Sequence, residues 1–438
     1  MYIHKVSLRN IRGFETLDFE LARPDGKYAG WTVFTGDNGS GKSTLLKAIA
    51  VGLLGKDTAR SLQPSFHRWI RDGSTPEESA IQLDIVRSEE DDALTDAGQK
   101  PSSAPFPAKI VFKNGGKETT VQSTIPSGKH KSYQTPDRTI WSLDAAGWFS
   151  CGYGPFRRVF GASPEATRQM VAPTTERFVT MFQEAASLAE VDQWLRLLKH
   201  KELENKDAEA EQLALVLELL RDDLMPNQIT VDRVDSDGLW LKDRNDVKLA
   251  WGEMSDGYRS AVALLADIVR HLIGTYGLAG LTGKTPGGEA EIKTVIKRSG
   301  VVLIDEIDAH LHPEWQRDIG FWLKHHFPNI QFLVTTHSPL ICQAADVNGL
   351  FVLPEPGSEA RPHPVPDEEY RKIIASRPDT ILLSSAFGLQ NTRSPRAVEG
   401  RAEYAKLEAK KRAGGKLTLE ESARFKQSEL FAFPEVET

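Results

Sequence analysis

Two stretches of this chain carry side chains suited to polyphosphate chemistry. The first, Gly36-Asp37-Asn38-Gly39-Ser40-Gly41-Lys42-Ser43-Thr44, fills every fixed position of a phosphate-binding loop. Gly36, Gly39 and Gly41 let the backbone take turns closed to other residues, so that successive N–H groups point at negative charge. Lys42 supplies a mobile cation for the β- and γ-phosphates, and the Ser43 hydroxyl suits Mg²⁺. Asn38, Ser40 and Thr44 count with these as nucleotide-binding candidates. The second stretch, Val301-Val302-Leu303-Ile304-Asp305-Glu306, is an apolar run ending in adjacent carboxylates. Asp305 can hold the ion that Ser43 also touches, which leaves Glu306 to orient and deprotonate a water. A glycine-rich turn and a plain strand edge are the structural alternatives. The two motifs together favour chemistry.

Such a loop works only between a strand and a helix. Trp31–Thr35 reads as a buried strand and Lys42–Leu54 has helical apolar spacing. Upstream, Tyr2–Leu8 and Glu15–Leu21 alternate as paired strands. Strand patterning returns at Ala80, passes a solvated loop from Ser88 to Pro107, and resumes as a hairpin around Asn114-Gly115-Gly116. Trp148–Arg158 is strand-like, with Arg157 and Arg158 open between core-edge and functional roles. Ser163–Leu224 shifts to helical spacing without a sustained heptad, so it reads as several short helices stopped by Pro226. A hairpin over Ile229–Leu241, a long helix from Tyr258 and a Gly/Thr/Pro-rich loop from Gly280 to Gly288 precede the Asp305-Glu306 strand. A helix over Trp315–His326 and a strand, Gln331–Thr336, follow it. The tail reads as two charged helices, Glu399–Arg412 and Thr418–Leu430, the second opened by a Thr418/Glu421 capping box. The expected divisions are 1–160, 161–228, 229–350 and 351–438.

The 438 residues are enough for a large core, and the net charge of −7 argues against wholesale nucleic-acid affinity. The basic Lys406–Lys416 region still leaves room for a local DNA or RNA contact, although charged helices usually face water. Two cysteines, Cys151 and Cys342, make no disulfide framework. The start shows no signal-peptide pattern, and the longest apolar region carries Asp267, Arg270 and His271, so a cytoplasmic protein without membrane insertion is expected. The spacing of His310, His312, His325 and His326 matches no zinc pattern.

The motifs in combination resemble those of the ATP-binding-cassette (ABC) ATPases. Met254-Ser255-Asp256-Gly257-Tyr258 looks like a divergent form of that family's signature, and His337 in Thr335-Thr336-His337-Ser338-Pro339 like its switch histidine. More narrowly, the chain is similar to the RecF/OLD/SMC-like branch and to compact ATPases of prokaryotic defence and DNA maintenance. Leu8-Arg9-Asn10-Ile11-Arg12-Gly13-Phe14, Ser255–Arg259 and Ile304–Pro313 carry that likeness. It implies an α/β P-loop NTPase: an ABC-ATPase head with an antiparallel β subdomain, a helical signature subdomain and a helical C-terminal tail.

The resemblance also implies a mechanism. ATP and Mg²⁺ would be the ligands, with Lys42, Glu306 and His337 as catalytic groups and Arg12 among the nucleotide contacts. Two protomers would close head to tail on two ATP molecules, each lending Ser255 and the Gly257 N–H to the other, as a homodimer. Asp308 falls where the family's D-loop lies. Asp256 departs from the commoner signature, and no glutamine is placed for the Q-loop, Gln63 coming too early, so the Tyr153-Gly154-Pro155-Phe156-Arg157 stretch is expected to take over part of its coupling task. For output, a switch acting on a nuclease or toxin partner is expected first, then a RecF-like repair clamp, then the nucleotide-binding subunit of a transporter. No second acidic cluster after His337 suggests a nuclease centre in this chain.

Overall fold

A computed structural model of the chain describes residues 1–95, 102–114, 119–123, 134–157, 159, 173–222, 224–286, 292–355 and 362–431. In chain order the strands are β1 (Tyr2–Ile11), β2 (Phe14–Glu20), β3 (Gly30–Thr35), β4 (Ala80–Val86), β5 (Phe106–Asn114), β6 (Thr119–Ser123) and β7 (Ser150–Tyr153). Next come β8 (Thr230–Asp235), β9 (Gly238–Lys242), β10 (Lys248–Ala250), β11 (Thr282–Pro286) and β12 (Ile292–Ile296). The last are β13 (Gly300–Ile304), β14 (Ile330–Thr335), β15 (Leu350–Val352) and β16 (His363–Pro364).

The apolar runs around the two motifs share one sheet. Its order is β16-β15-β3-β14-β13-β7, parallel throughout except for the antiparallel edge strand β16. Parallel strands buried on both faces need near-continuous apolar sequence, and every residue of β13 and β14 is buried. Register aligns their ends: Ile304 pairs with both Val334 and Tyr153, and Thr335 pairs with Phe34. The segments that leave β3, β14, β13 and β7 therefore emerge along one edge. In open α/β sheets that carboxyl edge is where ligands bind.

A second, wholly antiparallel sheet has the order β2-β1-β4-β5-β6. Its strands alternate buried with half-buried or exposed residues, so one face is packed and the other reaches solvent. The helix Lys42–Leu62 lies between the two sheets, with Leu45, Leu46, Ile49, Val51, Leu53 and Leu54 in one core with Ile81, Leu83, Ile110, Val301 and Leu333. A helix covered on several sides is apolar all round. Burial of each large aliphatic side chain contributes about 1.5–3 kcal/mol, which outweighs the cost of roughly 1 kcal/mol for a glycine in the helix. The helix kinks at Gly55, and the Trp141 indole N–H donates to the Gly52 carbonyl at 2.9 Å beside the kink.

Helices Ala189–Leu203 and Asp207–Arg221, with the short Pro173–Glu176 and Val179–Phe182, make up the helical stretch. Residues 160–172 of that stretch, Arg158 and the Gly115-Gly116 turn lie outside the described residues. The long helix runs from Asp256 to Tyr276. The expected loop from Gly280 to Gly288 is instead, over Thr282–Pro286, the strand β11 paired antiparallel with β12, a correction to the reading of its composition; residues 287–291 lie outside the described residues. Pairing with the β-branched-rich Ile292–Ile296 overrides local glycine and proline, and Lys284 ties β11 to Glu218 at 2.7 Å. β10, absent from the sequence reading, adds a third strand beside β9, and β15 continues the central sheet beyond His337.

By contacts the chain divides into Met1–Ser376 and Arg377–Thr438. The second unit holds the helices Pro395–Arg412 and Leu419–Ser428, the latter with the capping box of Thr418 and Glu421. Among the described residues no helix is long and apolar enough to cross a membrane.

Candidate nucleotide site

The loop after β3 holds Gly36 at φ 141°, Gly39 at 84° and Gly41 at 96°. Two of these positions are also crowded: a Cβ on Gly41 would meet the Phe14 ring at 2.5 Å, and one on Gly36 the Leu353 carbonyl at 2.8 Å. Side chains other than glycine are thus excluded by both conformation and space. The helix that follows has no side-chain cap and no acidic residue in its first turn. Its leading N–H groups and positive dipole end stay available to an anion. The Lys42 ammonium donates to the carbonyls of Gly36 at 2.7 Å and Asp37 at 2.8 Å. Burial lowers its pKa, and Asp305, Glu306, Asp37 and Asp308 act on it in the opposite sense. The loop lysine and the carboxylates after β13 are therefore brought into one electrostatic site.

Asp305 is buried at 1 % exposure. Its N–H donates to the Tyr153 carbonyl at 2.8 Å, and one carboxylate oxygen accepts from the Thr335 hydroxyl at 2.5 Å. The other oxygen, Oδ2, is buried without a hydrogen-bond partner. An orphaned buried carboxylate oxygen costs free energy unless a ligand completes it, and hard oxygen donors such as this and the Ser43 hydroxyl suit Mg²⁺. The residues present fit the ion.

Thr335 also accepts the Glu306 N–H at 2.7 Å, while Thr336 donates to Asp308 Oδ1 at 2.5 Å. Two adjacent hydroxyls at the end of β14 thus hold the turn on either side of Glu306. That residue sits at φ 46°, a strained backbone for a non-glycine. Thr335→Val keeps the volume but strands both the Asp305 oxygen and the Glu306 N–H. It should cost about 1–3 kcal/mol in stability, read by thermal melting. A wild-type melting temperature in that variant would mean that Thr335 supports neither group.

His337 is exposed, and its N–H reaches Asp308 Oδ1 at 3.4 Å. Ser338 caps the next short helix through Leu340 N–H at 3.2 Å. Arg12 approaches from the other sheet, its guanidinium 4.7 Å from the Trp69 ring centroid and 3.4 Å from the Thr44 hydroxyl. Beside it opens a cleft of about 840 Å³ lined in part by His67, Arg68, Ile70, Arg71 and Asn114. Asn38 is exposed at the loop tip; Ser40 is buried with an unpartnered hydroxyl.

Ser255 is exposed at the N-cap of Asp256–Tyr276. Gly257 is buried, since a Cβ there would meet the His310 carbonyl at 2.3 Å. Among the described residues no hydrogen bond joins Ser255 or Gly257 to the phosphate-binding loop of the same chain. Gln63 lies at the far end of the loop's helix, donating to Ala59 and Ser65 carbonyls, and is no part of this edge. His326 is buried against Thr294 O at 2.9 Å and Trp322, and His312 caps the Pro313–His326 helix.

Sequence reasoning missed Thr335, Thr336 and the Arg68/Arg71 cleft and left Arg157 undecided. The threonines sit in an apolar strand, where β-branched residues are expected for packing alone. Arg157 is buried with its guanidinium on the carbonyls of Asp305 and Glu306 at 2.7 and 3.0 Å.

Known proteins match this chain in two overlapping family models. An AAA domain model covers residues 5–234, and one described as AAA domain, putative AbiEii toxin, Type IV TA system covers residues 185–343. The chain is 25% identical over 397 residues to the Septu protein PtuA of Bacillus mycoides (strain KBAB4), covering 89% of this chain and 45% of that protein. It is 40% identical over 113 residues to the Retron Ec83 probable ATPase of Escherichia coli, covering 26% of this chain and 18% of that one. The matched portion is thus less than half of either relative's length. Among solved structures, the SMC head domain from Thermotoga maritima is similar with a TM-score of 0.42 at 15% identity, covering 84% of this chain and 100% of that chain. The SmcHead bound to the C-winged helix domain of ScpA gives a TM-score of 0.46 at 14% identity, covering 84% and 99%. With more than half of its length spanned by one model and the phosphate-binding loop built as above, the chain belongs to the AAA-domain family of P-loop ATPases.

Proposed function

We propose that the chain hydrolyses ATP with Mg²⁺ and that two copies close head to tail on the nucleotide, ATP binding and hydrolysis making and breaking the pair. The observation that carries the chemistry is the convergence of Lys42 with Asp305 and Glu306 at the carboxyl edge of one parallel sheet. The observation that favours a shared site is the exposed Ser255 turn, which among the described residues makes no hydrogen bond to its own phosphate-binding loop.

The triphosphate lies on the N–H groups of residues 39–44, and Lys42 leaves the Gly36 and Asp37 carbonyls for the β- and γ-phosphates. The cleft beside Arg12 takes the nucleoside half. Ser43 and Asp305 would hold Mg²⁺, which when bound neutralises charge on the β- and γ-oxygens. Glu306 orients the attacking water and accepts its proton. The new O–P bond forms as the bond from γ-phosphorus to the β-bridging oxygen breaks, and ADP leaves with the electron pair. His337 donates to a γ-oxygen, and Ser255 of the partner subunit with its helix N-terminus covers the same phosphate. Closure excludes water and aligns the groups; loss of the γ-phosphate removes what joins the copies.

Relatives named as a Septu protein and as a retron ATPase support a place in prokaryotic defence. There the closing pair would switch a DNA-acting partner such as a nuclease or toxin. The purified chain should release phosphate from ATP in Mg²⁺ and not in EDTA. Asp305→Asn should lower that rate by roughly two orders of magnitude, as expected for losing a Mg²⁺-holding carboxylate. Equal rates with and without the metal would defeat the proposal.

A further inference from the structure

Residues 153–157 leave β7 and pass between two parts of the proposed machinery. At their far end Arg157 is 3 % exposed. One guanidinium nitrogen, Nη1, donates to Asp305 O at 2.7 Å and Gly154 O at 2.9 Å. The other, Nη2, donates to Glu306 O at 3.0 Å and Ile307 O at 3.3 Å. A planar, rigid fork is suited to gripping several carbonyls at once. Burial pulls this cation down to about 10, with Asp305, Asp308 and Glu306 opposing that shift, so it stays charged at neutral pH.

The same segment is bonded twice to the helix that begins at the Ser255 turn. The Ser260 hydroxyl donates to the Arg157 carbonyl at 3.0 Å, and the Tyr153 hydroxyl donates to Asp267 Oδ2 at 2.9 Å; both bonds are buried. Ser260 and Asp267 are seven residues apart, on one face and about 10.5 Å along the axis. Asp267 is itself held. Its burial alone would raise its pKa, but His271 and Arg270 outweigh that and keep it ionised, and Arg270 continues to Glu176. The first turn of the helix meets the post-β13 loop directly, through Gly257 on the His310 carbonyl.

We infer that Arg157 is a positioning residue for hydrolysis, and that residues 153–157 form a crossbar transmitting the position of the Ser255 helix to the Asp305–Ile307 turn. Resting on the ATPase reading above, this assigns how closure at Ser255 reaches Glu306. The Arg157 guanidinium is engaged by backbone carbonyls, and so it fixes the backbone from which Asp305 and Glu306 project. Bonds at Ser260 and Tyr153 make the segment follow the helix, and the fork makes the turn follow the segment.

Removing Arg157 outright leaves buried carbonyls unpaired and endangers folding. The principal test is therefore Ser260→Ala with Tyr153→Phe, which cuts both helix bonds and spares the fork. Melting, ATP affinity by titration and kcat are measured beside the wild type. The expected result is ATP affinity within about twofold, since the phosphate-binding loop is untouched, and kcat lower by roughly ten- to a hundredfold, the scale of a small misplacement of reacting groups. Hydrogen exchange in ATP should show residues 36–44 protected in both proteins and residues 254–260 protected only in the wild type. Arg157→Lys, which keeps the charge but grips fewer carbonyls, should retain more kcat than Arg157→Met at equal affinity. A double variant with wild-type kcat and protection overturns the crossbar alone. So does one whose kcat and ATP affinity fall together with its melting temperature, because the bonds would then be only structural. A wild-type chain that binds ATP but never hydrolyses it overturns the enzymatic reading and this inference together.

Discussion

Lys42→Ala is expected to abolish ATP binding in the micromolar range and, with it, all turnover. The Lys42 ammonium is held by two loop carbonyls at 2.7 and 2.8 Å, and burial already lowers its pKa. Desolvated in this way, the cation gains most from the phosphates that arrive beside it. Its loss leaves the phosphates facing Asp305, Glu306 and Asp308 with the N–H groups alone to balance them. A loss of 2–5 kcal/mol, about thirty- to several-thousandfold in Kd, is the scale for truncating one partner of a buried charge pair. Calorimetric titration reads it directly, and an unchanged isotherm would discredit the loop as the nucleotide site. Folding should survive, because the helix that Lys42 opens is held by Leu45, Leu46, Ile49 and their neighbours in the core.

Glu306→Gln is expected to do the opposite to binding and more to catalysis. The amide keeps size and reach but cannot accept a proton from water. Turnover should fall by at least a hundredfold, the usual worth of a positioned general base. ATP affinity should hold or improve, because one negative charge facing the γ-phosphate is gone. Glu306 holds its strained φ of 46° through Thr335 and Arg157 rather than through its own side chain, so the variant should melt like the wild type. A rate within a fewfold of wild type would move the base to another residue.

The parts legible in the sequence are those whose chemistry is local. A loop needing φ above zero at Gly36, Gly39 and Gly41, followed at once by a helix, states its own conformation. The buried runs Trp31–Thr35, Val301–Ile304 and Gln331–Thr335 named the strands of the central sheet, because strands buried on both faces have little choice of composition. The parts that stayed hidden are made by partners far apart in the chain. Arg157 has meaning only once β7 lies parallel to β13 and presents it to carbonyls about 150 residues away. Thr335 and Thr336 gain theirs from the pairing of β14 with β13, since a threonine in a strand reads as a packing choice until a carboxylate appears beside it. The β11–β12 pair was obscured for a related reason: Gly283 and Pro286 speak for a loop, and only pairing with Ile292–Ile296 overrides them. The Arg68/Arg71 cleft follows the far end of the loop's helix in sequence, yet folds back beside Arg12.

The central claim, that ATP is the joint between two copies of this chain, is tested most directly by the mass of the Glu306→Gln protein in solution, by light scattering with ATP and Mg²⁺. The account predicts twice the 48.6 kDa protomer mass in ATP and a single protomer in ADP. A protein that binds ATP and yet keeps one mass in both nucleotides would contradict it.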